Sequence, residues 1–422
     1  MRKLLILAIP VLALAQTLQV LTMADAEQMA LKNHPAIESS SLQVEAEKQR
    51  IDEARSARYP FASASVTAVG ADNASRMAAG GLNNPVLYSR MATGVNVTQN
   101  LLDFGRTSHL IDSSKSAAAA AGERVRATKA DVILGVRRAY YNSLRADTVL
   151  QVAQATVEAR QNVVDQVSEL VKADLKSSLD LSFANTNLAE AKLLVSTAQN
   201  ERRAARANLA QAVGRQDLDN FELAQTPEPK LEPLALSELR QEALQKRPEL
   251  EAARLELQSR QSFAAAEGAL RFPSLALTAS AGVVPQRVSE VQSNYGAVGL
   301  NVSLPFLNGG LYKARRAEAE LRARSLSRHV ADLENRVTRD LTVAWLDVNT
   351  ASERIGLTQQ FVDQATQALE LAQTRYDLGL GSIVELSQAQ LFKTNAQIQY
   401  TTARYDYGIR LTQLEYQAGL LQ

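Results

Sequence analysis

Val95-Asn96-Val97-Thr98-Gln99-Asn100-Leu101-Leu102-Asp103-Phe104-Gly105 returns 205 positions later, from Val95 to Leu300, as Leu300-Asn301-Val302-Ser303-Leu304-Pro305-Phe306-Leu307-Asn308-Gly309-Gly310. In both segments polar Asn and Thr or Ser alternate with Val and Leu, the period-two pattern of a strand with one apolar face. In both, the alternation ends at a glycine, and a long proline-free run follows. A chain that passes twice from strand pattern to very long helix pattern is mainly α, with a smaller β portion.

Working outward, the repeat covers most of the chain. Residues 24 to 70 fall on 237 to 283 without a gap, pairing Gln28 with Gln241, Leu31 with Leu244 and Pro35 with Pro248. Residues 94 to 214 fall on 299 to 419, pairing Gly105 with Gly310, Leu181 with Leu386 and Gly214 with Gly419. The offset changes between Gly70 and Gly94, where the first copy has a longer stretch rich in Gly, Asn and Ser, as a surface loop allows. Residues 16–225 form the first repeat and 236–422 the second. The proline-studded segment 226–235 (Thr226-Pro227-Glu228-Pro229-Lys230-Leu231-Glu232-Pro233-Leu234-Ala235) is the expected linker, since neither helix nor sheet accepts such a run.

Each repeat carries two strand patterns, expected at 60–70 and 93–102 in the first copy and at 273–283 and 298–307 in the second. Polar Ser63, Ser65 and Thr67 alternate with Ala62, Ala64, Val66 and Ala68, and Ser274, Thr278 and Ser280 with Leu275, Leu277 and Ala279. A soluble sheet also alternates. Segments of about ten residues are, however, long enough to cross a bilayer as tilted strands. Tyr59, Phe61, Tyr88, Phe104, Phe272, Tyr295 and Phe306 lie near their ends, where interfacial aromatic girdles sit. On this reading Val66, Val97, Leu277 and Val302 face lipid. Four strands cannot close a barrel, and an unpaired edge in lipid is prohibitively costly. Copies of the chain must therefore share the barrel, and a trimer supplies twelve strands.

Between the strands and the chain's turns, Val136, Leu150, Val157, Val164 and Val171 recur at heptad spacing with Ala139, Ala146, Ala153 and Val167 on companion positions, a coiled-coil seam. The proline-free run from Arg106 to Lys172 would make a helix on the order of 100 Å long at about 1.5 Å per residue. Its counterpart runs from Leu311 to Tyr376, and return helices are expected at Leu179 to Val213 and Ile383 to Ala418. The joining turns read Ala173-Asp174-Leu175-Lys176-Ser177-Ser178-Leu179-Asp180 and Tyr376-Asp377-Leu378-Gly379-Leu380-Gly381-Ser382-Ile383-Val384-Glu385. Ser382 with Glu385 fits a capping box, and Ser177 with Asp180 fits a weaker one. Capping alone accounts for these carboxylates.

Composition narrows the rest. The chain has 46 basic and 45 acidic residues, and removing Arg2 and Lys3 leaves it near neutral, with no electrostatic case for nucleic acid. It has no cysteine and three histidines. His34 stands at a helix boundary, and His109 and His329 lack partners at metal spacing, so no metal site is expected. No nucleophile, base and orienting group can be assembled, so neither catalytic residues nor a cofactor are expected. Trp345 reads as a packing residue. Arg2 and Lys3, the apolar run from Leu4 and Ala13-Leu14-Ala15 read as a cleaved signal peptide over 1–15. No later segment offers the roughly 20 apolar residues of a membrane-spanning helix.

The arrangement resembles the TolC-like outer-membrane efflux channels. Each repeat opens with a helix ending in Asn33-His34-Pro35 or Lys246-Arg247-Pro248-Glu249-Leu250, and strand, strand, long helix, turn and return helix follow. The most specific match is Arg375-Tyr376-x-x-Gly379-x-x-Ser382-Ile383-Val384-Glu385-Leu386 followed by Ala389-Gln390. The resemblance implies a homotrimer with a twelve-stranded outer-membrane β-barrel and a periplasmic α-barrel of antiparallel coiled-coil helices, whose turns form a narrow entrance. It places Asp180, Glu385 and Tyr376 at that constriction, with Lys172, Lys176 and Arg375 as possible gate partners. Leu175, Ser177, Gly379, Leu380 and Ser382 become contacts for a periplasmic adaptor. The chain departs from the pattern at Gly381 and Gln388, where the family's best-known member has a basic latch residue and a second acid. The implied role is a passive exit duct for a tripartite efflux or type I secretion system, working with an adaptor and an inner-membrane pump. The alternative is a periplasmic coiled-coil adaptor or scaffold, which needs no lipid-facing strands.

Overall fold

The structure is a computed structural model describing residues 19–72, 88–216, 221–225, 235–287, 289 and 292–421. The expected signal peptide lies outside the described residues, as do the middle of the longer loop after Gly70 and all of the 226–235 linker except Ala235. The first repeat contains β1 (Gln19–Leu21), α1 (Met23–Asn33), α2 (Pro35–Ser56), β2 (Phe61–Val69), β3 (Arg90–Leu102), α3 (Arg106–Lys172), α4 (Ser178–Ala212) and β4 (Phe221–Leu223). The second contains α5 (Leu236–Lys246), α6 (Pro248–Ala269), β5 (Ser274–Arg287), β6 (Asn294–Ser303), α7 (Leu311–Asp377) and α8 (Ile383–Gln417). No described helix is apolar enough over a long enough stretch to cross a membrane.

The chain divides into two compact units, and neither is a repeat: each draws on both copies. One comprises the described parts of Met1–Glu38, Ala127–Arg247 and Arg336–Gln422, the other Ser39–Arg126 and Pro248–Asn335.

The second unit holds a four-stranded sheet in the order β2-β3-β5-β6, antiparallel throughout. Its register carries parity across all four strands. Ala62 faces Val97, Val97 faces Ala279 and Ala279 faces Val298, while Ser63 faces Asn96, Asn96 faces Ser280 and Ser280 faces Ala297. Directly opposed residues in an antiparallel pair share a face, so one side of the sheet is apolar and the other small and polar. β6 runs from Asn294 to Ser303 rather than over 298–307, and β3 begins at Arg90 rather than 93. Pro305 offers no donor to a ladder and helps to end β6 early.

At both strand-to-helix corners an Asx side chain turns the backbone. Asp103 accepts hydrogen bonds from the backbone of Gly105 (3.1 Å) and Thr107 (2.8 Å), from the Thr107 hydroxyl and from the Asn100 amide (3.2 Å). Its repeat mate Asn308 accepts from the Gly310 amide at 3.2 Å. Partial burial opposes the Asp103 charge, but these donors outweigh it and hold the carboxyl below the usual carboxylate range. A depressed carboxylate stabilises the fold above its unfolded pKa, and that contribution is lost as pH falls through the folded one. Asp103→Ala should therefore cost about 1 kcal/mol at neutral pH, the ordinary loss for a helix cap. In thermal unfolding, its midpoint should converge on the wild-type value as the pH is lowered into the acid range.

In the first unit, His34 and Arg247 take extended backbone before Pro35 and Pro248, because an α conformation there would clash with the proline ring. The return helices end against these breaks. Gly214 and Gly419 both have left-handed φ (72° and 74°), and a β-carbon on them would lie 3.0 Å from the Asn33 carbonyl oxygen and 3.1 Å from the Arg247 nitrogen. The core gathers Leu21, Ala30, Val136, Leu144, Leu209 and Val213 around Tyr140. The Tyr140 hydroxyl lies 2.9 Å from the Leu21 carbonyl and 2.8 Å from that of Ala224, tying down the parallel β1–β4 pair, and burial pushes its phenol up to about 12. Along α3 the expected seam drifts. Val136 and Leu150 are buried, as are Ala153, Arg160 and Val167 on the companion line, but Thr156 and Val163 are buried one position before Val157 and Val164, which are only partly so. Arg160 satisfies part of its guanidinium by donating to the Asn187 carbonyl at 2.6 Å.

Candidate functional site

The two turns between long helices meet in one cluster. Tyr376, at the end of α7, is 2% exposed and packs with Val163, Val167 and Ala184 from the first repeat and Ile383 and Leu386 from the second. Its hydroxyl is buried with no hydrogen-bond partner among the described residues. Burial, with the charges of Asp180 and Asp377, raises its phenol above the ordinary range. The Lys176 ammonium sits 4.4 Å from the centre of its ring, a cation–π contact.

The turns share one backbone path. Asp174 and its repeat mate Gly379 both have left-handed φ, 59° and 72°, and the next residue's amide closes the helix end: Leu175 onto the Leu170 carbonyl (2.8 Å), Leu380 onto that of Arg375 (2.7 Å). This is the usual way a helix stops with its last carbonyls satisfied. Glycine takes the left-handed position without strain in the second turn; in the first, an aspartate, which tolerates it better than most residues, does so.

The capping pattern reverses the sequence expectation. Ser177 and Asp180 form the complete reciprocal box, with Asp180 N–H donating to Ser177 Oγ (3.2 Å) and Ser177 N–H to Asp180 Oδ2 (3.1 Å). At Ser382 only half forms: Glu385 N–H reaches Ser382 Oγ (3.2 Å), but the Glu385 carboxylate accepts from Arg375 Nε at 3.0 Å. The longer glutamate reaches the guanidinium, and Arg375 also donates to the Leu380 carbonyl at 3.1 Å.

The expected gate cations are thus engaged locally. Lys172 pairs with Glu169 one turn back (2.6 Å), Lys176 covers Tyr376, and Arg375 holds Glu385. Asp180 is in no ion pair among the described residues. Leu175 and Leu380 project into solvent at the tips, 69% and 68% exposed. Leu179, Leu378 and Val384 are also exposed there. These three are not among the expected contacts; their only sequence signal is that they are apolar residues flanking two tight turns. At the sheet, Val66, Val97, Leu277 and Val302 occupy the same face, as the strand registers require.

The sequence model for the Outer membrane efflux protein family matches residues 27–215 and 239–420, the two repeats. Outer membrane protein TolC of Salmonella enteritidis is 26% identical over 414 residues, covering 93% of this chain and 81% of that protein. Among solved structures, a membrane protein from Pseudomonas aeruginosa has a TM-score of 0.81 at 22% identity, covering 94% of this chain and 93% of its own. The CmeC outer membrane channel of Campylobacter jejuni has a TM-score of 0.82 at 18% identity, covering 94% and 85%. At such identities the structural likeness establishes the fold, while the match to both repeats establishes the kinship: the chain belongs to the outer membrane efflux protein family.

Proposed function

We propose that three copies of the chain form an outer-membrane exit duct that passively conducts substrates handed over by a periplasmic adaptor and an inner-membrane pump. The observation that carries this reading is the sheet. It has one apolar face, one small polar face and two open edges at β2 and β6. In lipid, such edges are tolerable only when paired, and three four-stranded sheets joined edge to edge give a closed barrel of twelve strands. The apolar face, with Val66, Val97, Leu277 and Val302, meets lipid, and the polar face lines a wet lumen. A periplasmic scaffold would have no use for this division. The helices extend into the periplasm, and the chain reaches the envelope through a signal peptide cleaved after residue 15. Cargo is selected by the pump and adaptor, so the duct needs only a passable bore.

The tips form the entrance. Asp180 and Glu385 recur three times in the assembly and give acidic rings that favour cations. Tyr376 joins the tips of the two repeats with Lys176 on its ring, Arg375 braces the second turn through Glu385, and Lys172 is the remaining cation beside the entrance. Leu175, Ser177, Gly379, Leu380 and Ser382 meet the adaptor. Purified from the outer-membrane fraction, the protein should run as a trimer and conduct ions in planar bilayers; a soluble, non-conducting monomer would overturn the reading. Asp180→Ala and Glu385→Ala should each reduce cation preference. Asp180→Ala should in addition lower stability by about 1 kcal/mol through loss of the capping box, whereas the exposed Arg375–Glu385 pair is worth less than that. Unchanged selectivity in both variants would remove these carboxylates from the constriction.

A further inference from the structure

Where α6 gives way to β5, a cavity of about 600 Å³ opens beside the strand ends. One wall is layered: the Arg271 guanidinium lies 4.7 Å from the centre of the Phe272 ring, which stacks on Phe104 at 5.4 Å with 26° between planes. The opposite wall is one face of α7, where Arg316, Glu320 and Arg324 follow at four-residue intervals and all line the cavity. Arg316 donates through Nε to Glu320 at 2.8 Å, which leaves its terminal nitrogens available. Neither Arg271 nor Arg324 has an acidic partner among the described residues. Three guanidinium groups therefore face one carboxylate, and stacking on Phe272 holds Arg271 in place.

We propose that this groove binds the phosphate of an anionic phospholipid head group. Paired arginines present the forked donors that match phosphate oxygens. The ligand is a lipid rather than a free anion because the groove is amphipathic. Its aromatic wall continues into exposed Tyr59, Phe306 and Leu307 at the same strand ends, so a bound phosphate would have apolar surface beside it for the glycerol and acyl chains. This inference rests on the outer-membrane reading, which puts that end of the sheet at the periplasmic interface of the bilayer.

Native mass spectrometry of the full-length, detergent-purified assembly tests it, with phosphatidylglycerol and phosphatidylcholine of identical acyl chains as probes. Phosphatidylglycerol should bind saturably and more tightly than phosphatidylcholine. The double variant Arg271→Gln/Arg324→Gln should weaken it by about tenfold or more, as loss of charge-assisted hydrogen bonds implies, while Arg328→Gln, exposed on α7 outside the groove, should not. Equal binding of the two lipids, or undiminished binding by the double variant, would overturn the proposal. Displacement of the lipid by inorganic phosphate at comparable concentration would assign the groove to a free anion and overturn the lipid reading as well. The same spectra report subunit number: trimers without lipid preference refute only the groove, whereas monomers refute the duct.

Discussion

Val298→Arg is expected to abolish assembly in the outer membrane. Val298 is 77% exposed in the middle of the edge strand β6, on the apolar face that it shares with Leu300 and Val302. A guanidinium on the lipid face of a barrel costs about 2–4 kcal/mol near the bilayer midplane, and a trimer incurs that three times. Native stability is only about 5–15 kcal/mol, so the trimer band in membrane fractions should disappear. Val97→Arg should behave alike from the sheet interior. Asn301 lies on the polar face of the same strand, and Asn301→Arg should assemble and reduce the cation current. Normal trimers from Val298→Arg would mean that this face meets water.

Tyr376→Ala should have the second largest effect. The ring packs with residues of both repeats in the tip cluster and also carries a charge contact, from Lys176. Truncating a buried aromatic to alanine costs about 3–5 kcal/mol. The loss falls where the two turns are held together, so it should loosen the entrance as well as the fold: open probability in planar bilayers should rise, and Lys176 should lose its seat. Tyr376→Phe keeps the ring and removes a hydroxyl that finds no acceptor among the described residues, so it should leave the tip packed. Closed-state currents of Tyr376→Ala equal to wild type would exclude the ring from gating.

Much of this was legible in the sequence because it rests on periodicity. Val97 and Val302 declare their face by alternating with Asn96, Thr98, Asn301 and Ser303, and the sheet register places them there. Strand starts were less legible. Arg90 to Ala92 and Asn294 to Ala297 mix glycine, charge and small residues, so their alternation is weak although their backbones pair. The β1–β4 pair was invisible: three-residue strands carry no period, and Leu21 meets Leu223 only through the tertiary fold. Capping went the wrong way round because motif strength ignores competitors: Glu385 has Arg375 within reach, and Asp180 has no rival cation bonded to it. The burial of Thr156 and Val163 in place of Val157 and Val164 on α3 reflects which helices pack around α3, a property that a single helix's heptads do not hold. The groove of Arg271, Arg316 and Arg324 joins residues from two elements and has no local signature.

The duct stands or falls on the division between the two sheet faces. Because the chain contains no cysteine, single cysteines can be placed along β6 and challenged, in outer-membrane vesicles, with a charged, membrane-impermeant thiol reagent. Labelling should alternate: Asn301→Cys and Ser303→Cys are labelled and their modification lowers conductance, while Leu300→Cys and Val302→Cys resist the charged reagent and react only with a lipid-soluble one. Labelling of both parities at the same rate would place the strand in water on both faces and contradict the barrel.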